Sequence, residues 1–318
     1  MSLEIVPLEE KHLQDAAALA GSRYKELRKQ VPFLPPRYAE VSTLLPLLRD
    51  IVEEGPGVAS IRGGRLVGFL GGWLMPAFRG KRAAFSPEWA NAADLEDSRR
   101  IYEEMYTHLA ASWVADGYAT HLISLLVNDR DGMDGWRWLG FGMIAGDAVR
   151  DLRPVPGREA SVDIRRARPQ DLDQVTMLNE ALCQYLVASP TFLADAEERE
   201  RGDYEAWLQD PDKAIWLAYH GAEAVAYLEL GPASDDASTI IYDEKTTGIT
   251  GAFTGKEVRG RGIATALLNR ALEWARAQGY ERCAVDFEPM NPLAARFWLR
   301  HFQPVCYALV RHVDRRAV

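Results

Sequence analysis

The run from Gly248 to Phe302 constrains this chain more than any other stretch. It opens with a small-residue, β-leaning segment, Gly248 to Thr254, and continues into a basic glycine loop, Val258-Arg259-Gly260-Arg261-Gly262-Ile263-Ala264. A helical pattern follows from Thr265 to Gln278 and stops at Gly279. A second strand, Arg282 to Glu288, leads through Asn291-Pro292 to a last helix carrying Phe297 and Trp298. Gly260 and Gly262 have no Cβ, so the backbone can turn through positive φ and come close to a ligand. The first N–H groups of the next helix have no partner inside it, and its dipole concentrates positive charge there. A phosphate satisfies both demands. Arg259 and Arg261 add fixed charge, Thr265 adds a hydroxyl, and no carboxylate stands in the first turn. The loop reads as an anion cradle.

Two other glycine-loop readings fail on the residues. A nucleotide P-loop closes with Gly-Lys-Ser/Thr, which is absent here. A dinucleotide fingerprint needs a third glycine, also absent, although Asp286 imitates its acidic residue. Arg259-x-x-Gly262-x-Ala264, the helix after it, Asn291 and Phe297-Trp298 together resemble the GCN5-related N-acetyltransferase (GNAT) superfamily, closely over about the last 70 residues and more loosely back to about Val162. The resemblance implies acetyl-CoA as cofactor. It implies that the amides of Arg259, Gly260, Arg261, Gly262, Ile263, Ala264 and Thr265 hold the pyrophosphate. The backbone of Ala252, Phe253 and Thr254 is implied to pair with the pantetheine arm, and Asn291 to touch it. Phe297 and Trp298 are placed beside the arm.

At 318 residues the chain is long enough for about two domains with their own cores. A net charge of −9 and the lack of a dense Lys/Arg run argue against nucleic acid or an anionic membrane as partner. The three cysteines, Cys183, Cys283 and Cys306, are too few and too scattered for a disulfide framework or a zinc site, and Cys283 and Cys306 fall in strand patterns as small core residues. Six scattered histidines give no ligand pair, so no metal is expected. With no leader and no bilayer-length apolar run, the expected location is cytoplasmic.

The first half carries a short strand at Glu4–Val6, a helix with His12, Ala16 and Leu19, a proline break at Pro32, Pro35 and Pro36, and a helix near Val41–Val52. A glycine-turn hairpin spans Val58–Leu70, a helix Leu95–Asp116 and a buried strand Thr120–Val127. Asn128, Trp138 and Phe141 echo Asn291, Trp298 and Phe302, which suggests two degenerate copies of one fold. Where the second copy has its glycine loop, the first has Ser86-Pro87-Glu88-Trp89 followed by Asp94, Glu96 and Asp97, carboxylates expected to cap the helix themselves. The linker is Arg153-Pro154-Val155-Pro156-Gly157-Arg158. The second half adds a strand at Val162–Arg166, a helix from Pro169-Gln170-Asp171 to about Leu186, and a charged helical acceptor-side segment, Ser189–Trp207, anchored by Phe192, Leu193, Tyr204 and Trp207. A hairpin over Ala214–Leu230, a polar loop over Gly231–Thr239 and a strand start at Ile240–Tyr242 complete it.

The expected fold is therefore α/β (α+β): two tandem GNAT-like domains, each a mixed, mostly antiparallel sheet flanked by helices. Residues 1–155 form a degenerate copy without the cofactor loop and residues 160–318 the acetyl-CoA-binding domain. The implied chemistry is attack of a small molecule's primary amine on the acetyl thioester, which needs an oxyanion donor, a base and an acid. The base candidates are Asp286 and Glu288, alternating onto one face of their strand, with Glu229 third. The family's tyrosine on the last helix is replaced by Trp298, which leaves Tyr307 as substitute acid. A non-catalytic acyl-CoA-binding sensor or scaffold, and a longer acyl donor, stay open. So does the assembly: a monomer with pseudo-dimeric domains or a homodimer.

Overall fold

The computed structural model describes residues 2–157, 160–194, 200–233, 238–314 and 316. Linker residue Arg158, residues 195–199 of the acceptor-side segment and residues 234–237 of the polar loop lie outside the described residues. The chain divides into two compact units. One comprises Met1–Asp147, Ser238–Ile240 and Pro304–Val318, the other Ala148–Ala237 and Ile241–Gln303. The division thus falls at Asp147 rather than in the proline linker, and the last strand belongs with the first unit.

In the first unit, β1 (Glu4–Pro7) leads to α1 (Glu10–Gln30) and α2 (Val41–Glu54), then to the hairpin β2 (Gly57–Arg62) and β3 (Arg65–Gly71). Three strands follow that the sequence reading missed: β4 (Trp73–Phe78), β5 (Lys81–Ser86) and β6 (Asn91–Ala93). They are short: Pro76 interrupts β4, and β6 has only three residues. Next come α3 (Ser98–Ala115), β7 (Thr120–Leu126), α4 (Arg130–Trp138) and β8 (Gly142–Asp151), which carries the chain into the second unit. One sheet runs β1-β2-β3-β6; β5 pairs parallel with β7, Ala83 opposite Thr120. Ile101, Met105, Leu109 and Trp113 form the buried stripe of α3, at the helical spacing read from the sequence.

In the second unit, β9 (Asp163–Arg166) is followed by α5 (Leu172–Val187), α6 (Arg201–Gln209), the antiparallel β10 (Ala214–His220) and β11 (Glu223–Pro232), then β12 (Thr246–Thr254), α7 (Ile263–Ala277), β13 (Arg282–Phe287) and α8 (Pro292–His301). The sheet order is β8-β13-β12-β11-β10-β9. The final strand, β14 (Gln303–His312), pairs antiparallel with β7, Tyr307 opposite Leu125. On α7, Leu267, Leu268, Ala271, Leu272 and Ala275 are at most 1% exposed, and each leucine so buried contributes about 2 kcal/mol. That packing fixes where the helix begins.

Several local expectations are corrected. Ile240–Tyr242 does not begin a strand: a 3-10 turn spans Thr239–Ile241 and β12 starts at Thr246. Phe192 is exposed rather than an anchor, whereas Tyr204 is buried. Asp97 precedes α3, yet no side chain caps that helix. Asp97 pairs instead with Arg62, and Asp94 with Arg65, because strand arginines stand next to them. The internal echo also shifts: the residue capping α4 is Asp129, whose carboxylate accepts the Gly132 N–H at 2.8 Å, as Asn291 caps α8 through Ala294. Seven residues beyond each cap stand Trp136 and Trp298, both buried, whereas Trp138 is exposed.

Candidate functional site

The site begins where two parallel strands part. β12 pairs with β13 from Thr246–Arg282 to Ile249–Val285, and the pairing ends there. β12 continues to Thr254 against β11 alone. Thr250 is the unmatched residue of a bulge, since Gly251 faces Glu229 and Ile249 faces Leu230. A bulge adds twist and turns a strand out of register, and here it lies where β12 leaves β13. The backbone of Ala252, Phe253 and Thr254 therefore presents an edge without β13 beside it.

At the end of that edge stands the glycine loop. Gly260 and Gly262 have φ of +76° and +80°, the left-handed conformation that an L side chain resists. Gly262 occupies the N-cap position of α7, with no capping side chain and no acid in the first turn. The first helical bond in that turn runs from the Ala266 N–H to the Gly262 carbonyl at 3.0 Å, so the amides of Ile263, Ala264 and Thr265 precede the ladder. These amides, with the dipole behind them, suit an anion.

A cavity of about 490 Å³ joins the edge and the loop. On its wall lie Ala252, Phe253, Thr254, Arg259, Gly260, Gly262, Ile263, Ala264 and Thr265, and from the other side Asn291, Phe297 and Trp298. Of the residues assigned to the cofactor from sequence, only Arg261 is not on this wall; its guanidinium donates to the Glu257 carbonyl at 3.1 Å. Arg259 Nε–H donates to the Thr254 carbonyl at 2.9 Å, and its guanidinium lies 4.8 Å above the Tyr185 ring. Asn291 is buried and caps α8.

The candidate acids and bases sit elsewhere. Asp286 is exposed on β13 and Glu288 half-buried beyond it, and neither lines the cavity. Their alternation places them on one face of the strand, but no residue of β13 is on the described cavity wall. Glu229 is buried, accepts the Thr250 hydroxyl at 3.1 Å and abuts Gly251. Tyr307 lies on β14 in the first unit, packed against that unit's core. No carboxylate is among the described residues of the cavity wall. The wall instead holds Leu182, Tyr185 and Tyr227 from α5 and β11, and Arg300 and His301 from the end of α8. Burial, aided by Arg150 and Arg300, depresses the His301 imidazole below its ordinary pKa and keeps it neutral at pH 7. Sequence reading missed Tyr185 and His301 because each falls within an ordinary helical pattern.

A profile of the acetyltransferase (GNAT) family matches residues 179–302, which span α5 to α8 and so contain the parted strands, the loop and Asn291. That stretch of the chain fits the GNAT superfamily. No curated protein sequence matches it. Among solved structures, a GCN5-related N-acetyltransferase from Sphaerobacter thermophilus aligns over 98% of this chain and 95% of its own, with a TM-score of 0.59 and 12% identity. A glucosamine N-acetyltransferase region of a fungal multi-domain GH3 β-N-acetylglucosaminidase aligns over 97% of this chain with a TM-score of 0.54 and 12% identity; the chain spans 38% of that protein's length. At such identities the likeness concerns the fold, which is the expected mixed α/β GNAT fold.

Among the described residues no helix is long and apolar enough to cross a membrane, and no cluster of three or more His, Cys, Asp or Glu gathers as a metal site.

Proposed function

We propose that the second unit transfers an acetyl group from acetyl-CoA to the primary amine of a small molecule, and that the first unit has no cofactor site of its own. One observation carries the reading: uncapped helix amides, left-handed glycines and an unpaired strand edge meet on a single cavity. The residues fit the cofactor. The amides of Ile263, Ala264 and Thr265 would receive the pyrophosphate, and the Ala252–Thr254 edge and Asn291 the amide-bearing arm. Acetyl-CoA supplies a thioester whose carbonyl carbon forms a bond with the amine nitrogen as the carbon–sulfur bond breaks. A backbone N–H of the β12 edge serves as the oxyanion donor, fixed in place by the β11 ladder on its other side. The amine must shed a proton and the thiolate must gain one. His301, neutral at pH 7, is the base on the described wall.

The first unit lacks the loop. There the Asp129 carboxylate accepts from Ser98 Oγ, the first residue of α3, at 2.8 Å as well as from the first turn of α4. A resident anion thus caps α4 and binds the Ser98 side chain of α3. This favours one site per chain.

Calorimetric titration of acetyl-CoA, followed by a thiol-release screen over primary amines, tests the proposal. One site per chain with turnover supports it; absence of acetyl-CoA binding would sink it. The carboxylate-free wall also favours a second reading, a protein that binds acyl-CoA without turning it over. Binding with no thiol release for any amine would select that reading.

A further inference from the structure

Resting on the acetyl-CoA reading, the surroundings of Asn291 assign a role to a residue on a different helix. Asn291 Oδ1 accepts two hydrogen bonds, from the Ala294 N–H at 3.3 Å and from the Tyr185 hydroxyl at 3.2 Å. An amide oxygen has two lone pairs, so both are occupied, and the NH₂ group is the part left over. Among the described residues no acceptor stands against that NH₂, and Asn291 is 5% exposed on the cavity wall. Capping alone does not require asparagine: Asp129 caps α4 in the first unit with a carboxylate. What asparagine adds is a pair of donors.

Tyr185 is itself held. Its ring lies 4.8 Å beneath the Arg259 guanidinium, whose Nε–H is anchored on the Thr254 carbonyl, and its centroid is 6.4 Å from that of Phe253. A cation over an aromatic face is attracted to the ring. The strand edge, the glycine loop and the α8 cap are therefore joined through one phenol on α5.

We propose that Tyr185 is a positioning residue: it fixes the Asn291 amide so that its NH₂ group faces the cavity and donates to an amide carbonyl of the bound acyl-CoA arm. The hydroxyl acts through Asn291 and takes no part in proton transfer.

The experiment is acetyl-CoA calorimetry on the full chain carrying Tyr185→Phe, Asn291→Asp or both, with the melting temperature of each unliganded variant alongside. Tyr185→Phe keeps the ring under Arg259 and removes only the hydroxyl. Its expected effect is a Kd weakened roughly threefold to tenfold, the scale of one hydrogen bond, with no change in melting temperature beyond about 2 °C. Asn291→Asp keeps the cap and removes the donors, and should weaken Kd at least tenfold. On that background Tyr185→Phe should add nothing. An unchanged Kd for Tyr185→Phe, or losses that simply multiply in the double variant, overturns the proposal while leaving the acetyl-CoA reading intact. Absence of acetyl-CoA binding to the wild type overturns both.

Discussion

Gly260→Ala isolates backbone strain at the cradle. A Cβ built on Gly260 meets no atom within 4 Å, so the substitution introduces no clash, only the cost of holding alanine at φ +76°. That cost is about 1–2 kcal/mol. It can be expressed in two ways. If the loop keeps its shape, the fold loses the full amount, a fall of roughly 1.5–3 °C in melting temperature for a chain of this size. If the unliganded loop relaxes, stability is spared, and the ligand must drive the loop back, which weakens acetyl-CoA binding roughly fivefold to thirtyfold. The two losses share one source and should sum to about 1–2 kcal/mol. Gly64, in the β2–β3 turn, is the control: its φ is +77°, with nothing within 4 Å of a Cβ. Two paired strands flank that turn, from Arg62 opposite Arg65 onward, so Gly64→Ala should appear in the melt alone. Calorimetry and thermal melts on the three proteins decide the matter. If Gly260→Ala matches wild type in both, or Gly64→Ala changes acetyl-CoA affinity, the reasoning is wrong.

Three further outcomes follow from contacts away from the loop. Asp171 is buried, accepts both Arg165 guanidinium nitrogens at 2.8 Å, the Arg168 N–H and the Tyr219 hydroxyl, and the Arg165 bonds hold its carboxyl below the usual range; Asp171→Asn should cost about 2–4 kcal/mol in urea unfolding at pH 7. Because the folded pKa is depressed, this contribution is full above the unfolded value near about 3.9 and fades as pH falls through the folded one, so wild type and variant should converge in acid. A Cβ at Gly55 would lie 2.1 Å from the Gly72 carbonyl oxygen, a backbone atom that cannot move aside alone; Gly55→Ala should cost about 3 kcal/mol or more, read as loss of soluble protein or a large melting shift. His301 should titrate below about 6.5 by NMR, and Arg300→Ala should move that value upward by removing one of the cations that depress it.

The legible parts of this protein were those written in local pattern. Left-handed glycines at 260 and 262, the α3 and α7 stripes and the hairpins depend on neighbours within a few residues, and each appears where the sequence places it. The base and acid candidates fared differently. Asp286 and Glu288 follow strand alternation, but the cavity opens where β12 has already left β13, a property of two strands and a bulge at Thr250, and no β13 residue lies on its described wall. Tyr185 carries no local mark: residue 185 meets residue 291 only through packing of α5 on the second unit's sheet. Of the first-unit strands that escaped, β4 is broken by Pro76, β5 opens on two charged residues, and β6 is only three residues long.

The two units differ at the cap of one comparable helix. Both units set a short helix after a strand that pairs parallel with its neighbour, both cap it with an Asx side chain, and both place a buried tryptophan seven residues on. What differs is the cap. An Asp129 carboxylate brings its own negative charge to the start of α4, where it accepts from the Gly132 amide and the Ser98 hydroxyl with the Arg23 guanidinium 3.9 Å away. Asn291 brings no charge, so the start of α8 keeps its field for a ligand, and its spare NH₂ remains a donor. On this argument Asn291→Asp converts the second unit towards the first: it should fold normally, since the cap survives, yet lose acetyl-CoA affinity by charge as well as by hydrogen bonding. Raising the salt concentration should then recover part of the loss through screening. An Asn291→Asp loss that salt does not touch would show that the charge of the cap is not what distinguishes the two units.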